Sequence, residues 1–213
     1  RFIKTKIGLM GYWHNYTKTR EKLPFHAFLN QEGERNRFNV SKNSYHSLYN
    51  GNWETTFSKG TKNAYKSLAI FYQDKEFVTG TFITETGDYR YLQGNVFNDS
   101  IFLSCFDGAH AFLFEGVLVD NVIHGVFYSG LQWSEPWVSF KNDSFALTNP
   151  YLLTQQVTRE RLEFTFPNID GGNLSYPDKR FHNKVVIIQI FGSWCPNCVD
   201  ETKFLAGLYN QYQ

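Results

Sequence analysis

From Gly51 to about residue 142 the chain is written in short runs in which an apolar or aromatic residue alternates with a polar one. No other feature constrains the fold as strongly. A period of two puts alternate side chains on one face of an extended strand, whereas a helix would scatter the same residues around its axis. The runs are Trp53-Glu-Thr-Thr-Phe57, Phe77-Val-Thr-Gly-Thr-Phe82, Phe102-Leu-Ser-Cys-Phe106 and Phe112-Leu-Phe114. Turn residues punctuate them at Thr86-Gly87-Asp88, Gln93-Gly94-Asn95, Asp107-Gly108 and Asp120-Asn121. Short, regularly spaced strands rich in Phe, Tyr, Thr and Val predict an antiparallel β-sandwich or barrel. A hydrophobic share of 42% with a formal charge of +1 excludes a disordered chain. No apolar run approaches the ~20 residues of a membrane-spanning helix.

A weak internal repeat runs through the same pattern. Gly11-Tyr-Trp-His-Asn-Tyr16, followed by Leu23-Pro-Phe-His-Ala27, echoes Gly125-Val-Phe-Tyr-Ser-Gly130, followed by Glu135-Pro-Trp-Val-Ser139. Each copy is a strand opened by Gly-x-aromatic and a return strand entered through proline, whose missing N–H is tolerated at a strand start or edge. With a repeat unit ending near residue 140, residues 1–27 are expected to be the tail of an earlier unit.

The charges are unevenly spread. Residues 1–66 hold 12 Lys and Arg against 4 Asp and Glu, residues 67–170 hold 5 against 13, and residues 171–213 hold 4 against 3. Lys4, Lys6, Lys18, Arg20, Lys22, Arg35, Arg37 and Lys42 are dispersed, without the clustering that phosphate binding needs, so nucleic acid is not an expected partner. Six histidines show no H-x-x-x-H or H-E-x-x-H spacing. Cys105 alternates with aromatics and reads as a small core residue.

Beyond Pro150 the texture changes. A polar connector (151–161) leads to Leu162-Glu-Phe-Thr-Phe166, which alternates as a strand, and Asp170-Gly-Gly-Asn173 is a hairpin turn. Residues 184–191 form a continuous apolar, β-branched run broken only by Gln189, as expected of a strand covered on both faces. Trp194-Cys-Pro-Asn-Cys198 follows, and then Val199, Phe204, Leu205, Leu208, Tyr209 and Tyr212 recur at helical spacing. The unit is strand, Cys-Pro-Asn-Cys, helix. Cys195 would stand at the helix N-terminus, where unpaired N–H groups favour a thiolate and bring a thiol from ~8.5 toward the range of ~3.5–7.5. Pro196 suits the first turn, and Cys198, one turn on and more interior, could close a disulfide. Cys195 is therefore the expected nucleophile and Cys198 the resolving thiol, with Trp194 shielding the exposed sulfur. An inert disulfide is the bland alternative; a zinc site would need further ligands that the remaining cysteine and scattered histidines supply poorly. Neither metal nor cofactor is expected.

On these residues the resemblance becomes specific. Phe164-Thr-Phe-Pro167, Asp170-Gly171, the 184–188 run and Trp194-Cys-Pro-Asn-Cys198-Val-Asp-Glu201 resemble the opening third of a thioredoxin-fold domain, nearest to TlpA/ResA-like thiol-disulfide oxidoreductases. The β-rich leader resembles the extra N-terminal module of TlpA-like proteins from Bacteroidetes-type bacteria. The resemblance implies thiol-disulfide exchange, an extracytoplasmic (periplasmic or cell-envelope) location, a membrane anchor outside these residues, and protein disulfides and an upstream electron donor as partners; it leaves a homo-oligomer open. It also implies a supporting role for Glu201 near the resolving thiol. Two departures stand out. The family's Lys-Gly-Lys turn is His182-Asn183-Lys184 here, which Asn can satisfy through a left-handed conformation. No proline follows Cys198, so the family's cis-proline has no counterpart, and the sequence reads as part of a longer oxidoreductase cut at both ends.

The expected organisation is thus a β-module over residues 1–150, a connector over 151–161 and an incomplete thioredoxin-fold domain over 162–213. The rival function is a β-barrel that binds an apolar ligand or docks a protein, since its Gly-x-Trp openings resemble lipocalin-like barrels.

Overall fold

The structure is a computed structural model, and it describes residues 2–6, 8–14, 22–28, 37–38, 48–108, 110–155, 161–192 and 195–212. Two compact units divide the chain, Arg1–Leu153 and Thr154–Gln213. In the first, β1 (Phe2–Lys4), β2 (Gly8–His14) and β3 (Lys22–Phe28) form a three-stranded antiparallel sheet in the order β1-β2-β3.

Nine strands follow: β4 (Gly51–Phe57), β5 (Tyr65–Asp74), β6 (Phe77–Thr84), β7 (Gly87–Asp88), β8 (Leu92–Phe97), β9 (Ser100–Phe106), β10 (Ala111–Val119), β11 (Val122–Ser129) and β12 (Trp133–Lys141). Their order is β5-β4-β12-β11-β10-β9-β8-β6-β7, and β5 also pairs with β6. The sheet therefore closes on itself as an eight-stranded antiparallel barrel, with β7 an appendage of β6. Of the two architectures the alternation allows, the barrel is the one formed. Closure leaves none of the eight strands with a free edge.

On β4 the inward set is the one the alternation marked; on β9 it is not, since Ile101 and Leu103 are buried while Phe106 at the end of that run is exposed. On β4, Trp53, Thr55 and Phe57 are buried, and on β12, Glu135, Trp137 and Ser139. The interior is filled by a cluster of rings set among aliphatic chains such as Val78, Leu92, Leu103 and Ile123: Phe82 stacks on Phe114 at 4.5 Å, Phe114 on Phe127 at 4.5 Å and Phe57 on Tyr65 at 4.9 Å. Each buried ring contributes about 1.5–3 kcal/mol through its removal from water. Trp137 lies flat against the facing glycines of β10 and β11; a Cβ on Gly125 would come within 2.2 Å of its indole. The indole N–H of Trp137 finds no hydrogen-bond partner among the described residues.

Gln93-Gly94-Asn95 is not a turn. It lies inside β8, and the chain reverses instead at Asn98, whose φ is +50°. The reason is at Gly94, where a Cβ would stand 1.6 Å from the Phe102 carbonyl oxygen; glycine here permits a close approach between strands. The expected turn at Asp120-Asn121 is formed, with both residues at positive φ.

The internal repeat has a counterpart in register. Phe2 faces Gly11 and Lys4 faces Leu9, as Gly116 faces Gly125 and Leu118 faces Ile123. Gly11 faces Phe25 and Tyr12 faces Pro24, as Gly125 faces Trp137 and Val126 faces Pro136. Pro136 precedes the first residue of β12 that pairs with β4, so its lack of an N–H breaks no rung of that ladder.

A short helix, α1 (Pro150–Leu153), ends the first unit. In the second, β13 (Phe164–Pro167) and β14 (Asn173–Tyr176) form the hairpin expected around Asp170-Gly171-Gly172. Asn183 takes the left-handed conformation, at φ +57°. The expected buried strand over residues 184–191 is not formed: the segment carries no strand pairing among the described residues, and Val185 and Ile190 are 95% and 97% exposed. A strand is defined by the hydrogen bonds of its neighbours, and the only strands described in this unit are already paired with each other. Among the described residues, this unit thus has one hairpin and a helix but no thioredoxin α/β core. The predicted helix is present as α2 (Pro196–Gln211).

Candidate functional site

The chemistry expected from sequence sits where α2 begins. The carbonyl of Gly192 accepts from the Cys195 N–H at 2.9 Å, closing a turn that delivers Cys195 to the helix N-cap in an extended conformation. Pro196 occupies the first turn, where no N–H donor is required. The Cys198 N–H donates to Cys195 Sγ at 3.3 Å, so the cap of this helix is a sulfur atom. An N–H donor and the positive end of a 16-residue helix both favour negative charge on that sulfur.

Cys198 differs. Its hydrogen bond to Cys195 pushes its thiol above the ordinary value, and the charge of Glu201 acts in the same direction. Both cysteines are thiols here, and both are half-buried, so the deeper placement expected for Cys198 is not what distinguishes them. The distinction is electrical: Cys195 Sγ accepts the Cys198 backbone N–H, while the Cys198 thiol is held above its ordinary value. Trp194, expected to shield Cys195, lies outside the described residues.

Glu201 does more than accompany the motif. Its Oε2 accepts from Gln189 Nε2 at 2.9 Å, and the Thr202 hydroxyl lies 3.2 Å from Gln189 Oε1 and 2.7 Å from the Cys198 carbonyl. Gln189 was the one polar interruption in an apolar run, and it ties that run to the first turns of α2. Sequence reasoning missed Gln189 and Thr202; an amide inside a β-branched stretch was the available signal.

A second constellation lies inside the barrel. Glu135 is buried, and its two carboxylate oxygens accept from Ser58 Oγ and from the Tyr65 hydroxyl, each at 2.8 Å. The Tyr65 hydroxyl is also 2.7 Å from that of Tyr89. Burial is the main cause that holds both phenols well above the ordinary tyrosine value. The clue was again in phase: Glu135, Trp137 and Ser139 share the inward face. This network ties three distant segments of the barrel together, and its carboxylate has both oxygens occupied.

Cys105 is half-buried, donates to the Tyr89 carbonyl at 3.6 Å and is pushed up to about 11, chiefly by burial. That is the setting of an inert core thiol. Among the histidines, His110 is held by Asp107 at 3.0 Å and stacks on Phe112.

Compared with protein-family models, curated proteins and solved structures, the chain matches none.

Proposed function

We propose that this protein performs thiol-disulfide exchange through Cys195 and Cys198, reducing protein disulfides outside the cytoplasm. The observation that carries the reading is the sulfur cap of α2, with the Cys198 N–H 3.3 Å from Cys195 Sγ. The Cys195 thiolate attacks one sulfur of a substrate disulfide, forming a mixed disulfide and expelling the other sulfur as a thiolate that takes a proton from water. Cys198 then loses its proton and attacks Cys195 Sγ. The substrate leaves with two thiols, and the protein keeps a Cys195–Cys198 disulfide, having given up two electrons. A dithiol donor returns them. Glu201 acts as a positioning residue: it holds Gln189 against α2 and resists early ionisation of Cys198. The anchor and the extracytoplasmic setting follow from the family resemblance.

The barrel is the scaffold of this reading. Its interior is occupied by stacked rings, which favours a structural or docking role over carriage of an apolar ligand. The test is chemical. The reduced protein, given insulin or oxidised glutathione, should transfer two electrons per chain, with none transferred by Cys195→Ser and a trapped mixed disulfide in Cys198→Ser. Iodoacetamide should label Cys195 at a lower pH than Cys198. Equal labelling of the two thiols across the pH range, with no mixed disulfide, would sink the assignment.

A further inference from the structure

The three-stranded sheet β1–β3 reproduces part of the barrel rung by rung. Its hairpins share the registers of β10–β11 and β11–β12, down to the glycine that faces a ring and the proline beside it. The faces correspond as well. Leu9, Gly11 and Trp13 on β2, with Leu23 and Phe25 on β3, occupy the places of Ile123, Gly125, Phe127, Glu135 and Trp137, all on the barrel's inward side. Burial is where the two differ. Ile123, Phe127 and Trp137 are 0%, 3% and 1% exposed, while their counterparts Leu9, Trp13 and Phe25 are only half-buried.

The edges differ in the same way. In the barrel, β9 holds the outer edge of β10 and β4 holds the outer edge of β12. Among the described residues, β1 and β3 pair only with β2. Among the described residues no further strand takes either edge, and of the apolar face Trp13 alone has a ring partner in the barrel, Phe106 at 5.2 Å; a sheet left so is a template for further strands.

We propose that β1–β3 is the closing third of a second barrel of the same kind, and that strands patterned like β4–β9, encoded ahead of Phe2 in the same polypeptide, cover its face and both edges. Chain order requires this source, because in the barrel the five strands that complete β10–β12 all precede them. A second copy of the chain cannot supply them, since its β4 already lies between β5 and β12 and its β9 between β8 and β10. The protein would then carry two barrels in tandem, each closed by the same Gly-x-aromatic and Pro-aromatic hairpin.

Hydrogen–deuterium exchange on the full encoded polypeptide, beside the 213-residue chain, decides the matter. In the full polypeptide the amides of β1 and β3 should exchange at least about a hundredfold more slowly than in the 213-residue chain, approaching those of β10 and β12. Gly11→Val should abolish that protection and leave residues 51–141 unchanged, because Gly125, its counterpart, lies directly beneath an indole. Three results would each overturn the proposal: an encoded chain without such strands ahead of Phe2, free-edge exchange of β1 and β3 in the full polypeptide, or protection of the 213-residue chain that rises with its concentration. Protection that survives Gly11→Val would also refute the barrel-like packing of this face.

Discussion

The barrel and the segment 185–191 are built from the same kinds of residue and have opposite fates. In the barrel, Phe71, Val78 and Phe82 are fully buried; in the segment, Val185 and Ile190 are almost fully exposed. Both stretches have high β-propensity, so propensity cannot be the cause. Every barrel strand has a neighbour on each side, the last meeting the first through β4 and β12. The segment has no described strand beside it, only the hold of Glu201 and Thr202 on Gln189, and most of its side chains stay in solvent. A strand is a property of a pair, and the apolar pattern states only which residues would be hidden once a partner arrives.

The comparison can be broken most directly at Phe82, which touches Phe57, Phe71, Phe114 and Trp137. Phe82→Ala should cost about 3–5 kcal/mol of unfolding free energy in urea, through lost burial and the cavity left behind. A loss below 1 kcal/mol would show that the ring cluster is not the core. The polar part of the interior is the next largest. Glu135→Ala leaves the Ser58 hydroxyl without its acceptor and removes one partner of Tyr65, and should cost about 1–3 kcal/mol. Glu135→Gln, which preserves shape and one acceptor oxygen, should cost less; equal losses would mean that the network serves only to fill space.

Alkali sharpens the contrast further. Tyr49, Tyr65 and Tyr89 are all held above the ordinary value of 10.0, mainly by burial. A raised folded-state value means that the unfolded chain loses its protons first, so this stability is complete below pH ~10 and falls as pH rises beyond it. The slope should reach roughly 1.4 kcal/mol per pH unit for each of these tyrosines, and Tyr65→Phe should remove one share. Stability independent of pH in that window would show that the phenols reach water. The smallest effect belongs to the exposed segment: Ile190→Ala should lie within about 0.5 kcal/mol of zero in the same urea assay. A larger loss would mean that something covers Ile190.

What was legible in the sequence was whatever depends on a short stretch of chain. The inward pair Trp53 and Phe57 followed from alternation, the turn at Asp120-Asn121 from its residue types, and the Cys195 cap from Cys-Pro-Asn-Cys standing ahead of a helical pattern. What escaped depends on a second stretch. Gly94 resembles a turn residue until Phe102 is set beside it, and only then is it a point of close approach. Glu135 resembles a surface carboxylate until Ser58 and Tyr65 converge on it from another strand and a loop. Gln189 looks like a flaw in an apolar run until Glu201 and Thr202 take hold of its amide. The repeat lay between these cases: its residues were visible, and its meaning came from the registers.

The seam between β4 and β12 sets how the barrel bears a load. The chain comes in at Gly51 and leaves at Lys141 on the same end of one antiparallel ladder, where Asn142 N–H meets the Asn52 carbonyl at 3.0 Å and Lys141 Nζ meets that of Asn50 at 2.8 Å. A pull on the two flanking stretches therefore falls on that first rung alone, then on Lys141 and Trp53, then on the next. The barrel would open like a zipper rather than shear along the whole strand, and strung in a longer polypeptide it would yield to tension at this seam while its ring-filled interior was still intact.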